Sequence, residues 1–434
     1  MDKFFKISES GSTVKNEIFG GIATFLTMAY IIFVNPSILS SAIKVDGAYG
    51  ALMVATILGG AVATLTMGLL ANYPFALAPG MGLNAYFTYT VVMKMGVDWR
   101  VALGAVFIEG LIFILITLVG VRTYIANAIP HSIKIATSAG IGLFITFIGL
   151  KNAGIVVSDP ATYLALGKIT TPEALTTIIG LLIIAALYAL RVPGSILIGI
   201  LLATIFGAFV GITKFNGVFG PIPNIAPTFF KLKLTGASLI DPSFWVIVLT
   251  FFFVDFFDTT GTLMGLANSA GMTDKEGNLP RATKAYMADA TGTSIGALFG
   301  TSTVTTYIES GAGIAQGART GLASVVTAGL MLLMLFMSPL ASSIPAAATA
   351  PALIFVGSLM IKNLKIIDWD DTTEGLPAFI TLVMMPLTYS IATGITLGMI
   401  VYPIVKLFSG KAKDVHWLTW VLGFLFILYL IYLR

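Results

Sequence analysis

The stretch YPFALAPGMGLN, residues 73–84, is apolar enough to enter a membrane but is poorly suited to a continuous helix. Its prolines and glycines each interrupt or weaken helical hydrogen bonding. Backbone that is not helical survives at membrane depth only where protein buries it or where it lines a cavity. The stretch therefore predicts a binding site inside the membrane, built around a broken segment.

A second stretch, GTSTVTTYIESG at residues 300–311, is interrupted in a similar way, because its Thr, Val and Tyr residues favour extended backbone. The two stretches fall in the third and tenth apolar segments, and the hexapeptide FIGLKN at 147–152 resembles SLMIKN at 358–363. An odd number of segments in each half predicts an inverted repeat, which is the plan of many secondary transporters. The alternative is an ordinary pair of kinked helices.

Composition excludes a soluble protein. Hydrophobic residues make up 57% of the 434-residue chain and charged residues 10%, with a mean hydropathy of +0.96, whereas soluble domains carry about 25% charged residues. Because the apolar residues form long runs, we predict an all-α polytopic membrane protein. Zero cysteines and 2 histidines argue against a metal site, and we expect no cofactor. The net charge of +4 suits basic membrane loops and does not indicate nucleic acid.

About fourteen segments are long enough to cross the bilayer, and a further apolar run covers 416–433. The segments are about 18–39, 50–71, 72–93, 101–120, 132–150, 174–190, 194–213, 243–267, 284–299, 300–318, 320–341, 346–361, 375–390 and 391–408. Within 374–408 one bent segment is an alternative to two short ones.

Basic loop residues set the orientation of these segments. The side of the N-terminus receives Lys3, Lys6, Lys15, Arg122, Lys134, Arg191, Lys275, Arg281, Lys284, Arg319, Lys362, Lys365, Lys406, Lys411 and Lys413. The opposite side receives Lys44, Lys94, Arg100, Lys151, Lys168, Lys214, Lys231 and Lys233, and Arg434 is left over. The excess of positive charge predicts a multi-pass protein of the cell membrane with a cytoplasmic N-terminus.

Acidic residues inside apolar segments are costly and therefore indicate function. Asp255 and Asp258 are three apart on one helical face, where two carboxylates cannot both ionise cheaply, so the pair is a candidate proton carrier. Glu309 lies in the second broken stretch, where substrate would bind. For Glu109 the alternatives are a role in packing and a role in proton transfer. For Asp289 they are a functional role and a position at an interfacial helix end. A structural role, such as capping, is the alternative for the others.

The polar residue Asn84 directly follows the first break, where it could pair with an amide or purine edge or cap a helix. The acids are surrounded by phenylalanines such as Phe256 and Phe257, and deep Lys or Arg residues do not accompany them in the sequence. This composition favours a flat, hydrogen-bonding substrate that is neutral or cationic over sulfate or a carboxylate.

Four motifs carry a family resemblance that covers essentially the whole chain. They are GGIATFLTMAYI at 20–31 with Asn35-Pro36, APGMGLNA at 78–85, DFFDTTGT at 255–262 and TTYIESGAG at 305–313. In this order they resemble the nucleobase–cation symporter-2 (nucleobase–ascorbate transporter) superfamily, and within it the azaguanine-resistance-like branch of hypoxanthine, adenine and guanine permeases. The resemblance implies a seven-plus-seven inverted repeat with short extended strands in segments three and ten.

The resemblance also implies a site between two domains. The implied domains are a core of residues 1–130 and 242–342 and a gate of residues 131–241 and 343–434, which includes the C-terminal apolar helix. By motif position, Asp258 and Glu309 would hold the nucleobase, with Asn84 beside it. Tyr307 and Ile308 would supply backbone groups near the base.

The expected function is proton-coupled symport of hypoxanthine, adenine or guanine into the cell by alternating access, without catalysis. Asp255, Asp258, Glu309 and Glu109 are the candidates for proton coupling. The alternatives are sodium coupling, an anion exchanger or channel of the same architecture, and, least favoured, a membrane enzyme. The expected partners are the purine base, the proton and the lipid bilayer, and a second copy of the chain is a candidate partner in a homodimer.

Overall fold

A computed structural model describes residues 2–120, 128–274 and 279–432, so Arg122, Lys275 and Arg434 lie outside the described residues. The helices are α1 Asp2–Phe5, α2 Val14–Met28, α3 Ile31–Leu39, α4 Ala48–Thr66, α5 Met81–Ala85, α6 Trp99–Val119, α7 His131–Asn152, α8 Pro172–Ala189, α9 Ser195–Phe209, α10 Gly236–Ile240, α11 Pro242–Ser269, α12 Ala282–Phe299, α13 Ser310–Ala315, α14 Gly321–Leu333, α15 Ser338–Ser343, α16 Ala346–Met360, α17 Thr372–Thr388, α18 Ile391–Phe408 and α19 Trp417–Tyr432. The strands are β1 Leu77–Pro79, β2 Val156–Asp159, β3 Tyr163–Leu166 and β4 Val304–Thr306. π-Helical turns at Met67–Ala71 and Tyr86–Lys94 extend α4 and α5.

Long apolar helices dominate the described ranges, in which 9 are long and apolar enough to cross a membrane by length and composition. The chain is therefore a multi-pass helical membrane protein, as predicted. The residues within 374–408 form two helices rather than one bent segment, because α17 ends at Thr388 and α18 begins at Ile391. Between them Tyr389 adopts a left-handed conformation with φ of 55°. The antiparallel β2–β3 hairpin in the loop after α7 was not predicted.

Both broken stretches are extended as predicted, and they pair with each other. Strands β1 and β4 form an antiparallel two-stranded sheet in which Ala78 lies opposite Thr305. All residues of both strands are buried. Two segments that are far apart in sequence thus contribute equivalent pieces of backbone to one buried sheet.

The outer edges of this small sheet would leave backbone groups unpaired in a region without water, which is costly. The Thr64 hydroxyl on α4 accepts a hydrogen bond from the Leu77 N–H and donates one to the Leu77 carbonyl, each at 2.9 Å. The Thr293 hydroxyl on α12 likewise accepts a hydrogen bond from the Val304 N–H at 3.2 Å and donates one to the Val304 carbonyl at 3.0 Å. Each strand is therefore completed by a threonine of the helix that precedes it, as an inverted repeat requires.

The long helices pack in two groups. One group surrounds the β1–β4 sheet and contains α2, α4, α6, α11, α12 and α14; the other contains α7, α8, α9, α16, α17, α18 and α19. Helix α7 connects the groups, since it packs against both α5 and α11. The β1–β4 sheet thus lies inside the first group. Helices α5 and α11 contact α7 of the second group.

Close helix contact in the first group predicts a large effect of a methyl group at Gly321. A Cβ atom there would overlap the Gly68 carbonyl oxygen, which is backbone and cannot rotate away. We expect Gly321→Ala to destabilise the protein by about 1–3 kcal/mol, as overpacking does. Gly329 lies in the same helix, and a Cβ there would meet no described atom within 4 Å. Thermal unfolding in detergent should show a lower Tm for Gly321→Ala and an equal or higher Tm for Gly329→Ala, because alanine favours a helix interior; a Tm for Gly321→Ala as high as that of the unaltered protein would contradict the contact.

Candidate functional site

The structure brings Asp258 and Glu309 to the same end of strand β4. Glu309 immediately precedes α13, and its carboxylate accepts a hydrogen bond of 2.6 Å from the Tyr30 hydroxyl. Asp258 on α11 interacts with the Thr305 side chain of β4 and electrostatically with Glu309. Both acidic side chains are half-buried, and the neighbouring Ile308 is 65% exposed. The two predicted acids therefore lie near each other beside β4, next to the exposed Ile308.

Open space continues from this point along one face of α11. Gly261 and Gly265 follow Asp258 by three and seven residues and so lie on the same helical face. A Cβ atom on either glycine would meet no described atom within 4 Å. Gly311 borders the same space, and a Cβ there would contact only Leu266, at 3.7 Å. We call this uncovered face of α11, together with the neighbouring Gly311, the glycine crevice.

Contacts along the chain show on which side of the membrane the glycine crevice opens. The C-terminal part of α11 packs on α13, since Leu266 of α11 and Ile314 of α13 belong to one hydrophobic cluster. The loop after α13 reaches the start of α2, because the Arg319 N–H donates to the Glu17 carboxylate at 2.8 Å. The crevice therefore opens on the side where the N-terminal helix begins.

The opposite end of the site is closed by contacts between the segment after β1 and the second helix group. The chain runs away from the N-terminal side through β1 into this segment, since Asn72, which precedes β1, donates to the Phe5 carbonyl at 2.8 Å. We call the contacts at its far end the distal contacts. They are Lys94 Nζ to the Thr388 carbonyl at 2.6 Å, Thr90 Oγ1 to the Tyr389 carbonyl at 3.3 Å, Asn152 Nδ2 to the Tyr89 hydroxyl at 3.2 Å, and the Tyr89 and Tyr389 rings at 5.8 Å.

Asp255 has different partners from Asp258, although one helical turn separates them. The Thr259 hydroxyl lies 3.1 Å from Asp255 Oδ1 and 2.9 Å from Asp289 Oδ1. Asp255 also interacts with Glu109, which accepts a hydrogen bond of 3.3 Å from Thr303. Glu109, Asp255 and Asp289 are each 0% exposed, and we call them the acid cluster. Asp289 is therefore not an interfacial helix end, and the first neighbours of Asp255 are Thr259 and Glu109.

Two other predicted residues hold the broken stretches together. Asn84 is 0% exposed; its Oδ1 accepts a short hydrogen bond from the Ser302 hydroxyl, and its Nδ2 lies 3.5 Å from the Pro79 carbonyl. The Tyr307 hydroxyl donates to the same Pro79 carbonyl at 2.6 Å, and Tyr307 is 5% exposed. In this conformation both polar groups are occupied by protein atoms.

Several residues that build the site were not singled out from the sequence. Tyr30 lies in the motif at 20–31, Thr259 in the motif at 255–262 and Ser302 in the stretch at 300–311, and the sequence pattern assigns a role to none of them. Hydroxyl side chains in apolar segments are a weak signal, since most of them bond to their own helix. The contacts of Tyr30, Thr259 and Ser302 at the site join parts of the chain that are distant in sequence, so the sequence pattern does not predict them.

Paired broken segments and half-buried acids in a multi-pass helical chain are features of membrane transporters. The family model described as "Permease family" matches residues 15–397. The chain belongs to this family, the nucleobase–cation symporter-2 permeases, which confirms the resemblance inferred from the four motifs.

Individual relatives match over the full length of the chain. It is 47% identical over 443 residues to the guanine/hypoxanthine permease PbuG of Bacillus subtilis, with 100% of both chains covered. It is 40% identical over 433 residues to the adenine permease AdeP of Escherichia coli, with 100% of this chain and 96% of that protein covered. The transmembrane domain of the cyanobacterial bicarbonate transporter BicA is similar in fold, with a TM-score of 0.65 at 18% identity over 88% of this chain and 97% of that one.

Proposed function

We propose that this chain is a proton-coupled symporter that carries the purine nucleobases hypoxanthine, adenine and guanine into the cell. The observation that carries the proposal is the meeting of Asp258 and Glu309 beside the β1–β4 sheet, at the head of the glycine crevice. Carboxyl groups can accept ring N–H and exocyclic amine hydrogen bonds, and protonated ones can also donate to a ring nitrogen or carbonyl. The names of the full-length relatives, a guanine/hypoxanthine permease and an adenine permease, support a purine substrate.

The five residues predicted to bind substrate would divide into two roles. Asp258 and Glu309 would bond the base directly, and Ile308, at 65% exposed, would lie against it. Asn84 and Tyr307 would support the site without bonding to the base, because their polar groups are bonded to Ser302 and Pro79 across the two broken stretches. They would keep the backbone near the base in register.

Alternating access is supported by the unequal ends of the site. The glycine crevice is open on the N-terminal side, and the distal contacts join the two helix groups on the other side. The helix groups agree with a core of residues 1–130 and 242–342 and a gate of residues 131–241 and 343–434. With a cytoplasmic N-terminus in the cell membrane, this conformation would face inward, and the outward-facing state would break the distal contacts.

Proton coupling would use the same acids and those behind them. An ionised carboxylate at membrane depth is costly unless it is paired, so the binding of a proton or of a hydrogen-bonding base lowers the cost of moving it. Asp258 and Glu309 would couple proton and base at the site. Glu109 and Asp255 would hold a proton in the acid cluster, within reach of strand β4 through Thr303.

Anion exchange is the second candidate, favoured only by the similarity in fold to a bicarbonate transporter. An anion entering the glycine crevice would meet the carboxyl groups of Asp258 and Glu309, which repel it when ionised. Sodium coupling would use the same carboxylates as ligands. Both alternatives are outcomes of the transport experiment.

Uptake of radiolabelled bases into proteoliposomes tests the proposal. We expect hypoxanthine, adenine or guanine to accumulate when the outside is more acidic than the inside, and uracil to be taken up far less. Collapse of the pH gradient by a protonophore should abolish accumulation. Accumulation that depends on sodium alone would overturn the proton part of the proposal, and transport of bicarbonate without any purine uptake would overturn the substrate.

A further inference from the structure

The first membrane segment breaks beside Glu309. Helix α2 ends at Met28 and α3 begins at Ile31, so Tyr30 lies at the junction of two helices rather than inside one. The junction is rigidly packed, because Tyr30 is 1% exposed and both of its neighbours in sequence are fully buried. The backbone keeps right-handed helical angles at Ala29 and Tyr30, so the break is a local irregularity within one membrane segment, and it holds the Tyr30 phenol at a fixed point beside Glu309.

Two hydroxyl groups from this junction bind the same acidic residue. The Tyr30 hydroxyl donates to Glu309 Oε1 at 2.6 Å, and the Thr27 hydroxyl lies 3.2 Å from the Glu309 backbone carbonyl. The Tyr30 contact fixes the carboxylate, whereas the Thr27 hydroxyl also lies 2.9 Å from the Ala23 and Thr24 carbonyls of its own helix and adds a weaker contact to the Glu309 backbone. Glu309 precedes α13 without capping that helix through its side chain, so these contacts from the first segment determine its orientation.

The phenol has a chemical consequence for the two carboxylate oxygens. A hydroxyl group has one proton to donate, and Tyr30 gives it to Oε1. When Glu309 is ionised, Oε2 is left to accept an N–H from a base. When Glu309 is protonated, the proton is most stable on Oε2, because Oε1 keeps its role as acceptor. The ionised and protonated states of Glu309 thus differ at Oε2, which either carries the proton or accepts a hydrogen bond from the substrate.

We propose that Tyr30 is a positioning residue for transport: its hydroxyl occupies Oε1 of Glu309 and so makes Oε2 the atom that exchanges a proton for a hydrogen bond to the base. This proposal deepens the function proposed above and rests on it. Tyr30 acts through Glu309 and need not touch the substrate. Its loss should weaken substrate binding and also change how binding depends on pH.

The variant Tyr30→Phe removes the hydroxyl and keeps the ring. Losing a hydrogen bond to a charged group should raise the KM for hypoxanthine about tenfold or more, with a smaller change in maximal rate. Without its donor the ionised carboxylate is less stable, so the pH dependence of KM should move toward higher pH. The variant Thr27→Val loses a hydroxyl that also bonds to the Ala23 and Thr24 carbonyls of its own helix, but it keeps the Tyr30–Glu309 contact, so it should not displace the pH dependence.

Tyr163→Phe provides the matched control, since Tyr163 is 85% exposed on the β2–β3 hairpin and should behave like the unaltered protein. If transport by a variant is too slow to measure, calorimetric titration of the purified protein with hypoxanthine across pH gives Kd in place of KM. An unchanged KM or Kd and an unchanged pH dependence in Tyr30→Phe would overturn the role of Tyr30 alone. Failure of the unaltered protein to transport any purine would instead overturn the proposed function.

Discussion

Glu309→Gln and Asp258→Asn should each reduce purine uptake by about 100-fold or more, which corresponds to roughly 3 kcal/mol of lost interaction. Both changes keep the size of the side chain and remove only the ability to exist as a carboxylate. An amide keeps one acceptor oxygen and gains an NH2 donor, but it can neither ionise nor carry the transported proton. The loss should therefore appear both in the affinity for the base and in the coupling to the proton.

The geometry predicts that the two variants differ in kind. Glu309 is held by Tyr30, so a glutamine there can turn its carbonyl oxygen toward that hydroxyl and direct its NH2 group at the base. It would then meet ring N–H groups with a second donor, which repels a base such as hypoxanthine. Asp258 interacts with the side chain of Thr305, and asparagine there can keep that contact while losing charge. We expect the greater loss of binding for Glu309→Gln.

Binding should be measured by titration of purified protein with hypoxanthine, and transport by uptake into proteoliposomes. Glu173→Gln is the matched control for charge and shape, because Glu173 is exposed in the first turn of α8, away from the β1–β4 sheet. It should bind and transport as the unaltered protein does. Near-normal affinity in Glu309→Gln or Asp258→Asn would refute the assignment of that residue to the base.

Much of the architecture could be predicted from the sequence because its signals are local. Proline and glycine in the stretch at 73–84, and Thr, Val and Tyr in the stretch at 300–311, disfavour helix wherever they lie. The sequence pattern could not predict which segment each broken stretch pairs with. Pairing of Ala78 with Thr305, and the use of Thr64 and Thr293 to complete the strand edges, depend on contacts between distant parts of the chain.

The acidic residues show the same limit at the site. Their cost inside apolar segments makes them visible in the sequence, but it does not tell which of them meet. The spacing of Asp255 and Asp258 indicates one helical face, and at that level they form a pair. In the fold they have different first neighbours, since Asp255 contacts Thr259 and Asp258 interacts with Thr305. Helical periodicity defines a face, whereas the neighbouring helices decide what each residue on it contacts.

The second large effect is expected from the acid cluster behind the site. Asp255→Asn should reduce the accumulation of purine driven by a pH gradient at least tenfold, while exchange of labelled for unlabelled base across the membrane continues. The reason lies in Thr259, whose single hydroxyl proton faces one oxygen of Asp255 and one of Asp289. A hydroxyl can satisfy both only if it donates to one carboxyl group and accepts a proton from the other. The arrangement is therefore suited to a shared proton that moves with the conformational cycle.

Asparagine at position 255 imitates a carboxyl group that is permanently protonated, so the shape of the cluster is kept and its capacity to release a proton is lost. Exchange requires no net proton movement, whereas accumulation does, and the ratio of the two rates separates coupling from binding and from folding. Asp370→Asn, in the exposed loop before α17, is the matched control and should leave both rates unchanged. If Asp255→Asn accumulates purine like the unaltered protein, the acid cluster is a structural element, and coupling resides in Asp258 and Glu309 alone. If exchange is lost together with accumulation, Asp255 is required for substrate movement itself, and the proton argument fails.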